Sequence, residues 1–232
     1  MHTLHLLVPL LAAASFTQGA AIRHEPQPTN LPPAFKELES LRPLSHCDIS
    51  TRKLPKRGNP PELPDPEANL RLKYITFGVG TQNYTCAGGV TKPTPIGAVA
   101  TLYDGSCLNN INARAMSILN YITLHTSVSS ASWVLESFLK MPKLGQHYFT
   151  EGRPFFDLTT RGGSDRAFVS VVASVPAPSG LDVPWLRLNK VEGSGIKAIF
   201  RVKTHEGVSP VTCQGQPSEF QIGYTAQYWV YG

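Results

Sequence analysis

Residues 220–231, FQIGYTAQYWVY, alternate between two sets of side chains over twelve positions, the clearest periodic pattern in the chain. One face carries Phe220, Ile222, Tyr224, Ala226, Tyr228 and Val230. The other carries Gln221, Gly223, Thr225 and Gln227, and ends with Trp229 and Tyr231. Because successive side chains of a strand point to opposite faces of a sheet, a period of two predicts a β-strand here.

Strand-like segments follow one another through most of the chain after residue 70. Residues 196–204 set Ile196, Ala198, Phe200 and Val202 against Lys197, Ile199, Arg201 and Lys203. Residues 168–175 set Val169, Val171, Ala173 and Val175 against Ser170 and Ser174. Further candidates are 71–79, 97–103, 146–150 and 185–190, and Gly, Pro, Asn or Asp occupies most gaps. Seven or more short strands predict a mainly β fold, an antiparallel β-sandwich or barrel.

One interval, at about 108–142, has helical spacing instead. Its apolar residues recur at i, i+3, i+4 and i+7, as Ala115, Ile118, Leu119 and Ile122, and then as Ala131, Val134, Leu135, Phe138 and Leu139. This spacing predicts two short amphipathic helices inserted between strands. We expect them to cover an edge or a face of the sheet rather than to form a ligand site.

The N-terminal third has a different composition. Residues 1–20 contain no Asp, Glu, Lys or Arg, include the apolar run LLVPLLAAA and end in small residues, which is the pattern of a signal peptide. Residues 21–66 hold 10 of the 20 prolines and predict an N-terminal arm beside a single β-rich domain at 67–232. We therefore expect a secreted protein, extracellular or in the cell wall, with no membrane span.

Two features of the arm carry more specific expectations. Phe35, Leu38 and Leu41 have the spacing of one short helix, with Thr29 and Asn30 upstream as candidates for its N-cap. The dibasic pair Lys56-Arg57 is either a solvated linker, which we favour, or a processing site.

Four cysteines, Cys47, Cys86, Cys107 and Cys213, remain after removal of a signal peptide. An even number in an oxidising compartment predicts two disulfides, and the count leaves three connectivities open. The spacing of these cysteines fits no zinc site. Asn83-Tyr84-Thr85 predicts glycosylation at Asn83 if the chain is exported. The net charge of +5 is compatible with an acidic polymer as partner, although solubility alone explains it.

Gly78-Val79-Gly80 follows a strand-like segment and resembles the start of a dinucleotide-binding turn. That turn needs a third glycine and then a helix whose N-terminus holds the pyrophosphate. Here Asn83 takes the third position, and YTCAGGVTKPTP follows. We therefore predict no nucleotide cofactor, and no other cofactor or metal is indicated.

Catalytic templates are equally weak. The sequence contains no G-x-S-x-G, H-E-x-x-H or P-loop motif. The best acid–base candidate is His147 in a predicted strand, with Asp157, Asp165 or Asp182 as partner, while His125 and His205 rank lower. A strand histidine between aromatic neighbours is more often a packed or surface residue.

Three aromatic residues each allow two interpretations. Trp185 follows Pro184 and is either an exposed ring for stacking a sugar or peptide or, as we favour, part of the core. Trp229 and Tyr231 lie on the more polar face of the last strand. They form either an aromatic platform or, as we favour, a surface packed under the helical insertion.

Several segments together resemble a known family. They are LKYITFGVGTQNYTC, ATLYDGSC, LGQHYFTEGRPFFDL, VASVPAPSGLDVPWLRL, RVKTHEGVSPVTC and YTAQYWVYG. Their order and spacing resemble domain-of-unknown-function family 3455, a family of secreted fungal and bacterial proteins, over about residues 60–232. The resemblance implies no catalytic residues. Some members carry the label malate dehydrogenase, which the glycine motif does not support.

The resemblance also implies a disulfide pairing. The family places one cysteine after the Q-x-Y strand and another after the threonine- and glycine-containing segment. These positions match Cys86 and Cys213, which leaves Cys47 to pair with Cys107.

Two functions of different classes stay open at this point. The favoured one is a non-enzymatic extracellular module that binds an acidic or neutral polysaccharide, a host surface or a partner protein, with no role for nucleic acid. The alternative is a secreted enzyme with a site around His147, which requires a pocket where His147 meets a carboxylate. The sequence does not determine the oligomeric state.

Overall fold

The computed structural model describes residues 33–44, 47–108 and 111–232, and eight strands in this part of the chain form a closed antiparallel barrel. Each strand pairs with its neighbours in sequence, and the last strand pairs with the first. The strands are β1 (Leu72–Thr85), β2 (Thr94–Asp104), β3 (Lys143–Thr150), β4 (Arg153–Asp157), β5 (Arg166–Val175), β6 (Trp185–Ser194), β7 (Ala198–Glu206) and β8 (Glu219–Tyr231). The predicted mainly β class is confirmed, in its barrel form.

Short helices lie in the arm and in the interval between β2 and β3. They are α1 (Pro33–Glu39), α2 (Ala113–His125) and α3 (Val128–Ser132), and α3 continues into a π-helical turn at Trp133–Phe138. The Asn112 side chain caps α2 by accepting a hydrogen bond from the Ala115 amide. Thr225 on the outside of β8 donates to Asn120 at 2.8 Å, which fixes α2 against the outer face of the barrel. The insertion therefore covers a face of the sheet, as predicted.

Among the described residues, no helix is both long and apolar enough to cross a membrane. The predicted signal peptide, at residues 1–20, and the cap candidates Thr29 and Asn30 lie outside the described residues. The helix predicted from Phe35, Leu38 and Leu41 is present as α1, and both leucines are fully buried.

All seven predicted strands are present, but β4 was missed. This strand is only five residues long, contains Pro154 and places Phe155 and Phe156 side by side. Because two adjacent aromatic residues do not alternate with polar ones, its sequence carries no period of two.

The barrel interior is filled mainly by one face of each strand. On β8 the inward residues are Tyr224, Ala226, Tyr228 and Val230, four of the six apolar residues that the alternation places on one face; Phe220 and Ile222 do not belong to this interior cluster. They pack with residues from other strands that include Leu102, Leu144, Phe156, Val169, Leu188 and Ile199.

A second cluster lies on the outside of the barrel, beneath the arm. Leu54 and Leu63 of the arm pack with Trp229 and Tyr231 on β8, and the cluster also contains Val175, Trp185, Phe200 and Val202. Trp229 and Tyr231 are each only 5% exposed, so they do not form an exposed platform. Our favoured prediction was also wrong, because the arm covers them and no helical residue belongs to the described cluster.

The outer cluster explains two further departures from prediction. On β7, Ala198, Phe200 and Val202 pack under the arm, whereas Ile199 faces the interior. On β5, Val169 faces the interior but Val175 joins the outer cluster, because a β-bulge between Val171 and Ala173 reverses the alternation. Val169 and Val175 therefore do not share one face.

Two disulfides join Cys47 to Cys107 and Cys86 to Cys213, the pairing that the family resemblance implied. The first attaches the arm to the chain after β2. The second attaches the end of β1 to the long connection between β7 and β8. Because each bond joins segments that are far apart in sequence, both restrict the unfolded chain.

The Gly78-Val79-Gly80 motif lies in the middle of β1, which pairs with β2 and β8 on its two sides. A Cβ atom on Gly78 would lie 2.6 Å from the ring of Tyr228. A Cβ atom on Gly80 would lie 1.8 Å from the Val99 carbonyl oxygen. The two glycines therefore allow close packing inside a strand that continues to Thr85, rather than preceding a helix directly.

The dibasic pair lies in a segment of the arm that is held by an ion pair and hydrogen bonds. Lys56 Nζ is 2.6 Å from the Asp65 carboxylate, and Arg57 Nη1 donates to the carbonyls of Asn59 and Pro61 at 3.1 and 2.9 Å. Cleavage after Arg57 would require these contacts to open, and processing there stays a prediction.

We expect Gly80→Ala to lower the free energy of unfolding by about 1–3 kcal/mol, because β1 and β2 must separate to admit the methyl group. Gly180→Ala is the matched control, since a Cβ atom at Gly180 meets nothing within 4 Å. Urea unfolding measures the free energy of unfolding of both variants. Equal losses in the two variants would show that close packing at Gly80 is unimportant.

We expect Leu63→Ala to lower the free energy of unfolding by about 2–5 kcal/mol, since Leu63 is 4% exposed and its removal leaves a cavity under the arm. Leu181→Ala, at a residue that is 78% exposed, should change it by less than about 0.5 kcal/mol. The same midpoint for both variants in chemical denaturation would contradict packing of the arm on the barrel.

Candidate functional site

A cavity of about 580 Å³ occupies one end of the barrel. It lies where β1, β3, β5 and β7 end and where β2, β4, β6 and β8 begin. Its lining includes residues from all eight strands, among them Gln82, Ile96, Ala98, His147, Phe149, Pro154, Val171, Leu186, Leu188, Arg201 and Tyr228. This size is within the range of small-molecule sites in proteins.

The short β3–β4 hairpin leaves this end of the barrel open. β4 pairs with β5 only from Phe155 to Asp157, so β5 continues beyond Phe168 with no partner on that side. Ile96, Phe149 and Val171 line the cavity near this gap and are 46%, 39% and 54% exposed. The entrance to the cavity is therefore apolar.

His147 lies deep in the same cavity and is 5% exposed. Its ring stacks on Phe156 with centroids 4.1 Å apart, and its Nδ1 is 3.0 Å from the Phe155 carbonyl oxygen. Because a carbonyl only accepts, Nδ1 carries the proton and Nε2 is left as an acceptor. Burial lowers the pKa of His147 to about 4, although the Phe155 carbonyl opposes that change. The ring is therefore neutral at ordinary pH.

Two tyrosines and an arginine meet beside His147. The hydroxyls of Tyr224 and Tyr228 are 2.6 Å apart, and burial raises the pKa of both. Arg201 opposes these rises and also lowers the pKa of His147, which places its charge among all three side chains. Arg201 is 8% exposed and donates from Nε and Nη2 to the Pro184 carbonyl at 3.2 and 2.9 Å.

Gln82 supplies a further polar group to the cavity. Its side chain is near Tyr224, where it opposes the rise in the pKa of that hydroxyl. Gln82 is 9% exposed, yet its Nε2 is buried and has no hydrogen-bond partner of normal geometry among the described residues. Buried donors are nearly always paired, so this amide marks a position where a ligand atom or water would bind.

None of the predicted acid partners reaches His147. Asp157 accepts hydrogen bonds from the amide and hydroxyl of Thr159, at 3.0 and 2.6 Å, and so stabilises a turn. Asp165 lies at the opposite end of the barrel, where Lys73 and the Tyr74 hydroxyl bind its carboxylate at 2.6 and 2.9 Å. Burial, followed by the bond to Asp165, raises the pKa of Tyr74 to about 12.

The third acid candidate, Asp182, lies near His205 rather than His147. Asp182 accepts from the Glu206 amide at 2.7 Å and is 3.8 Å from His205 Nδ1. His125 and His205 each approach Glu206 Oε1, at 3.9 and 3.8 Å. In the described part of the chain, no three His, Cys, Asp or Glu side chains are placed to hold a metal ion.

Two more residues singled out in the sequence lie elsewhere. Trp185 is 1% exposed in the outer cluster, so core packing is the correct interpretation. Asn83 lies within β1, where its side chain accepts from the Thr81 hydroxyl at 3.0 Å. Glycosylation at Asn83 stays a prediction.

A larger cleft, of about 790 Å³, lies between the arm and the barrel. Its charged lining residues, among them Arg52, Lys53, Lys56, Asp65 and Arg71, are all exposed. Such groups stay in contact with water, so this cleft lacks the buried polar side chains of the barrel cavity.

Sequence reasoning found His147 but missed Arg201, Gln82 and Tyr228 as its neighbours. The alternation in 196–204 groups Arg201 with Lys197 and Lys203, and two lysines on a face give no sign that it lines an interior. The one signal that pointed inward was Ile199 on that same face, which is fully buried in the interior.

Comparison with known proteins gives one match. The model of the family described as "Protein of unknown function (DUF3455)" matches residues 66–232. No curated protein and no solved structure matches the chain. The match covers the whole barrel, with its cavity, and excludes nearly all of the arm.

The low pKa of His147 predicts a specific loss of stability in acid. The unfolded chain takes up a proton at His147 near pH 6.5, whereas the folded protein does so only near pH 4. The free energy of unfolding should therefore fall by about 3 kcal/mol from this residue alone as the pH drops through that window.

His147→Phe should remove this part of the pH dependence, whereas His205→Phe, at an exposed ring, should keep it. Denaturant unfolding between pH 7 and pH 4 measures the slopes, and ¹H–¹³C NMR measures the titration of His147 directly. Parallel slopes for wild type and His147→Phe, or a ring that titrates near pH 6.5, would contradict the burial.

Proposed function

The chain belongs to the DUF3455 family, whose function is unknown, and we propose that it is a secreted, non-enzymatic protein that binds a small amphipathic molecule in the open end of its barrel. The ligand's apolar part lies against the walls near Phe149 and Val171. Its polar end reaches the group around Arg201, Gln82 and Tyr228.

One observation carries this proposal: apolar walls and a few converging polar groups share one concave cavity. Binding sites for small molecules have this composition, in which apolar area supplies affinity and placed polar groups supply orientation. An eight-stranded barrel also has an interior wide enough for one small ligand. A polymer such as a polysaccharide would instead require an open groove, so the cavity favours a small molecule over the polysaccharide that the sequence left open as a partner.

The alternative of an enzyme centred on His147 receives less support. General acid–base catalysis needs a group that changes protonation near the working pH, held by a partner that orients it. His147 has only a carbonyl as partner at Nδ1 and a pKa of about 4. The described residues also place no carboxylate beside it.

Export is part of the proposal and rests on two observations. Residues 1–20 have the composition of a signal peptide, and all four cysteines form disulfides. Structural disulfides persist mainly in oxidising compartments.

The neutral fluorescent probe N-phenyl-1-naphthylamine tests the proposal, because it binds apolar cavities and needs no charge. We expect saturable binding of one probe per chain. Val171→Trp should abolish binding by filling the entrance. Val172→Trp is the matched control, since Val172 is similarly exposed, at 51% against 54%, but does not line the cavity.

Three results would contradict the proposal. They are no saturable binding by the wild type, equal loss of binding in both tryptophan variants, and retention of the protein on chitin, glucan or cellulose at equal strength with and without Val171→Trp. The last result would indicate a glycan site outside the cavity.

A further inference from the structure

Arg201 is a buried cation whose side chain forms no ion pair with any carboxylate in the described part of the chain. Its hydrogen bonds go to neutral acceptors, the Pro184 carbonyl and the Tyr228 hydroxyl. Its other neighbours are the neutral rings of His147, Tyr224 and Tyr228. The positive charge is thus held in a site that contains no negative charge.

Arg187 shows how the same barrel treats a buried arginine that has a structural role. It is 9% exposed, almost the same as Arg201, but lies on the outer face of β6. It bonds to the Glu67 carboxylate and lies over the Phe200 ring at 5.5 Å. Among the described residues, a carboxylate therefore pairs with the Arg187 guanidinium and none pairs with that of Arg201.

Removing a charge from water costs free energy that only a counter-charge and good hydrogen bonds recover. The fourteen described residues that line the barrel cavity include no Asp or Glu, so the described chain supplies no such partner at this position. A ligand that carries a negative group would supply it, and a guanidinium binds a carboxylate with particularly favourable geometry.

We infer that the ligand of the barrel cavity is a singly charged organic anion, of the carboxylate class, whose charged group binds Arg201 while its apolar part lies toward Phe149 and Val171. This inference rests on the proposed function and names the chemical class of the ligand. The assigned interaction is a charge-assisted hydrogen bond in a largely dehydrated site.

Two neighbouring groups fit an anion better than a cation or a neutral alkyl chain. Gln82 Nε2 is a donor, and it has no hydrogen-bond partner of normal geometry in the described part of the chain. The Tyr224 and Tyr228 hydroxyls can use one hydrogen between them, which leaves the second hydroxyl hydrogen for another acceptor. Gln82, Arg201 and Tyr228 line the cavity together, so its lining offers hydrogen-bond donors and no acidic group to a ligand.

The test compares four ligands that share one ten-carbon chain: decanoate, decyl sulfate, decanol and decylammonium. Each is measured by its displacement of N-phenyl-1-naphthylamine from the wild-type, full-length protein. We expect decanoate to bind at least about tenfold more tightly than decanol, because the alcohol lacks a charge-assisted bond to Arg201. Decylammonium should bind weakest, and decyl sulfate shows whether other anionic groups are accepted.

Arg201→Met should remove the preference for decanoate over decanol while keeping displacement by decanol. Arg201→Lys retains the positive charge but not the paired N–H groups of the guanidinium, and should keep part of the preference for decanoate over decanol. Arg187→Met is the matched control and should leave both affinities unchanged. Circular dichroism and binding of the neutral probe show whether each variant is folded.

The outcomes separate this inference from the proposed function. If the probe does not bind, the proposed function fails and the ligand class fails with it. If the probe binds but wild type prefers decanol or decylammonium, only the anion inference is overturned. An unchanged preference for decanoate in folded Arg201→Met would equally overturn it. If Arg201→Met does not fold, the ligand series on the wild type and on Arg201→Lys still tests whether the cavity prefers an anion.

Discussion

Pairing of β8 with β1 is the constraint on which the rest of the structure depends. The two strands pair over nearly their full lengths, from Leu72 opposite Tyr231 to Thr85 opposite Glu219. This pairing closes the sheet and leaves no free edge there to pair with another chain. It also separates an inside from an outside, so that a residue's position along a strand determines whether it faces the cavity. Glycines at 78 and 80 allow this closure, since side chains there would meet Tyr228 and the β2 backbone.

The two ends of the barrel differ in electrostatics. At one end Asp165 is only 6% exposed, but Lys73 and Tyr74 bind its carboxylate and neutralise it. At the other end Arg201 is comparably buried and lacks a counter-charge. Because both charges come from residues of similar burial in one barrel, burial alone does not explain the difference. The first end is a closed structural contact, whereas the second is an accessible cavity.

Much of this fold could be predicted from the sequence, because the alternation of apolar and polar residues can be recognised within each strand by itself. Seven strands, the helical insertion and the barrel option followed from periodicity. Periodicity did not show which side of the sheet faces inward. A second apolar layer lies under the arm and makes the outer face of β7 as hydrophobic as a core. The bulge in β5 is set by pairing with β6 and has no signature in the residues themselves. The site as a whole could not be predicted either. His147 could be identified as a candidate by itself, but only the closure of the barrel brings Arg201 next to it.

The packing of the arm on the barrel limits where the chain can be truncated. The family match begins at residue 66, yet Leu54 and Leu63 cover Trp229, Tyr231 and Phe200, and Cys47 is bonded to Cys107. A fragment trimmed to the matched region would expose a band of aromatic surface and free one thiol, both of which promote self-association. The segment that the family model matches is thus smaller than the segment that packs as one unit in this protein.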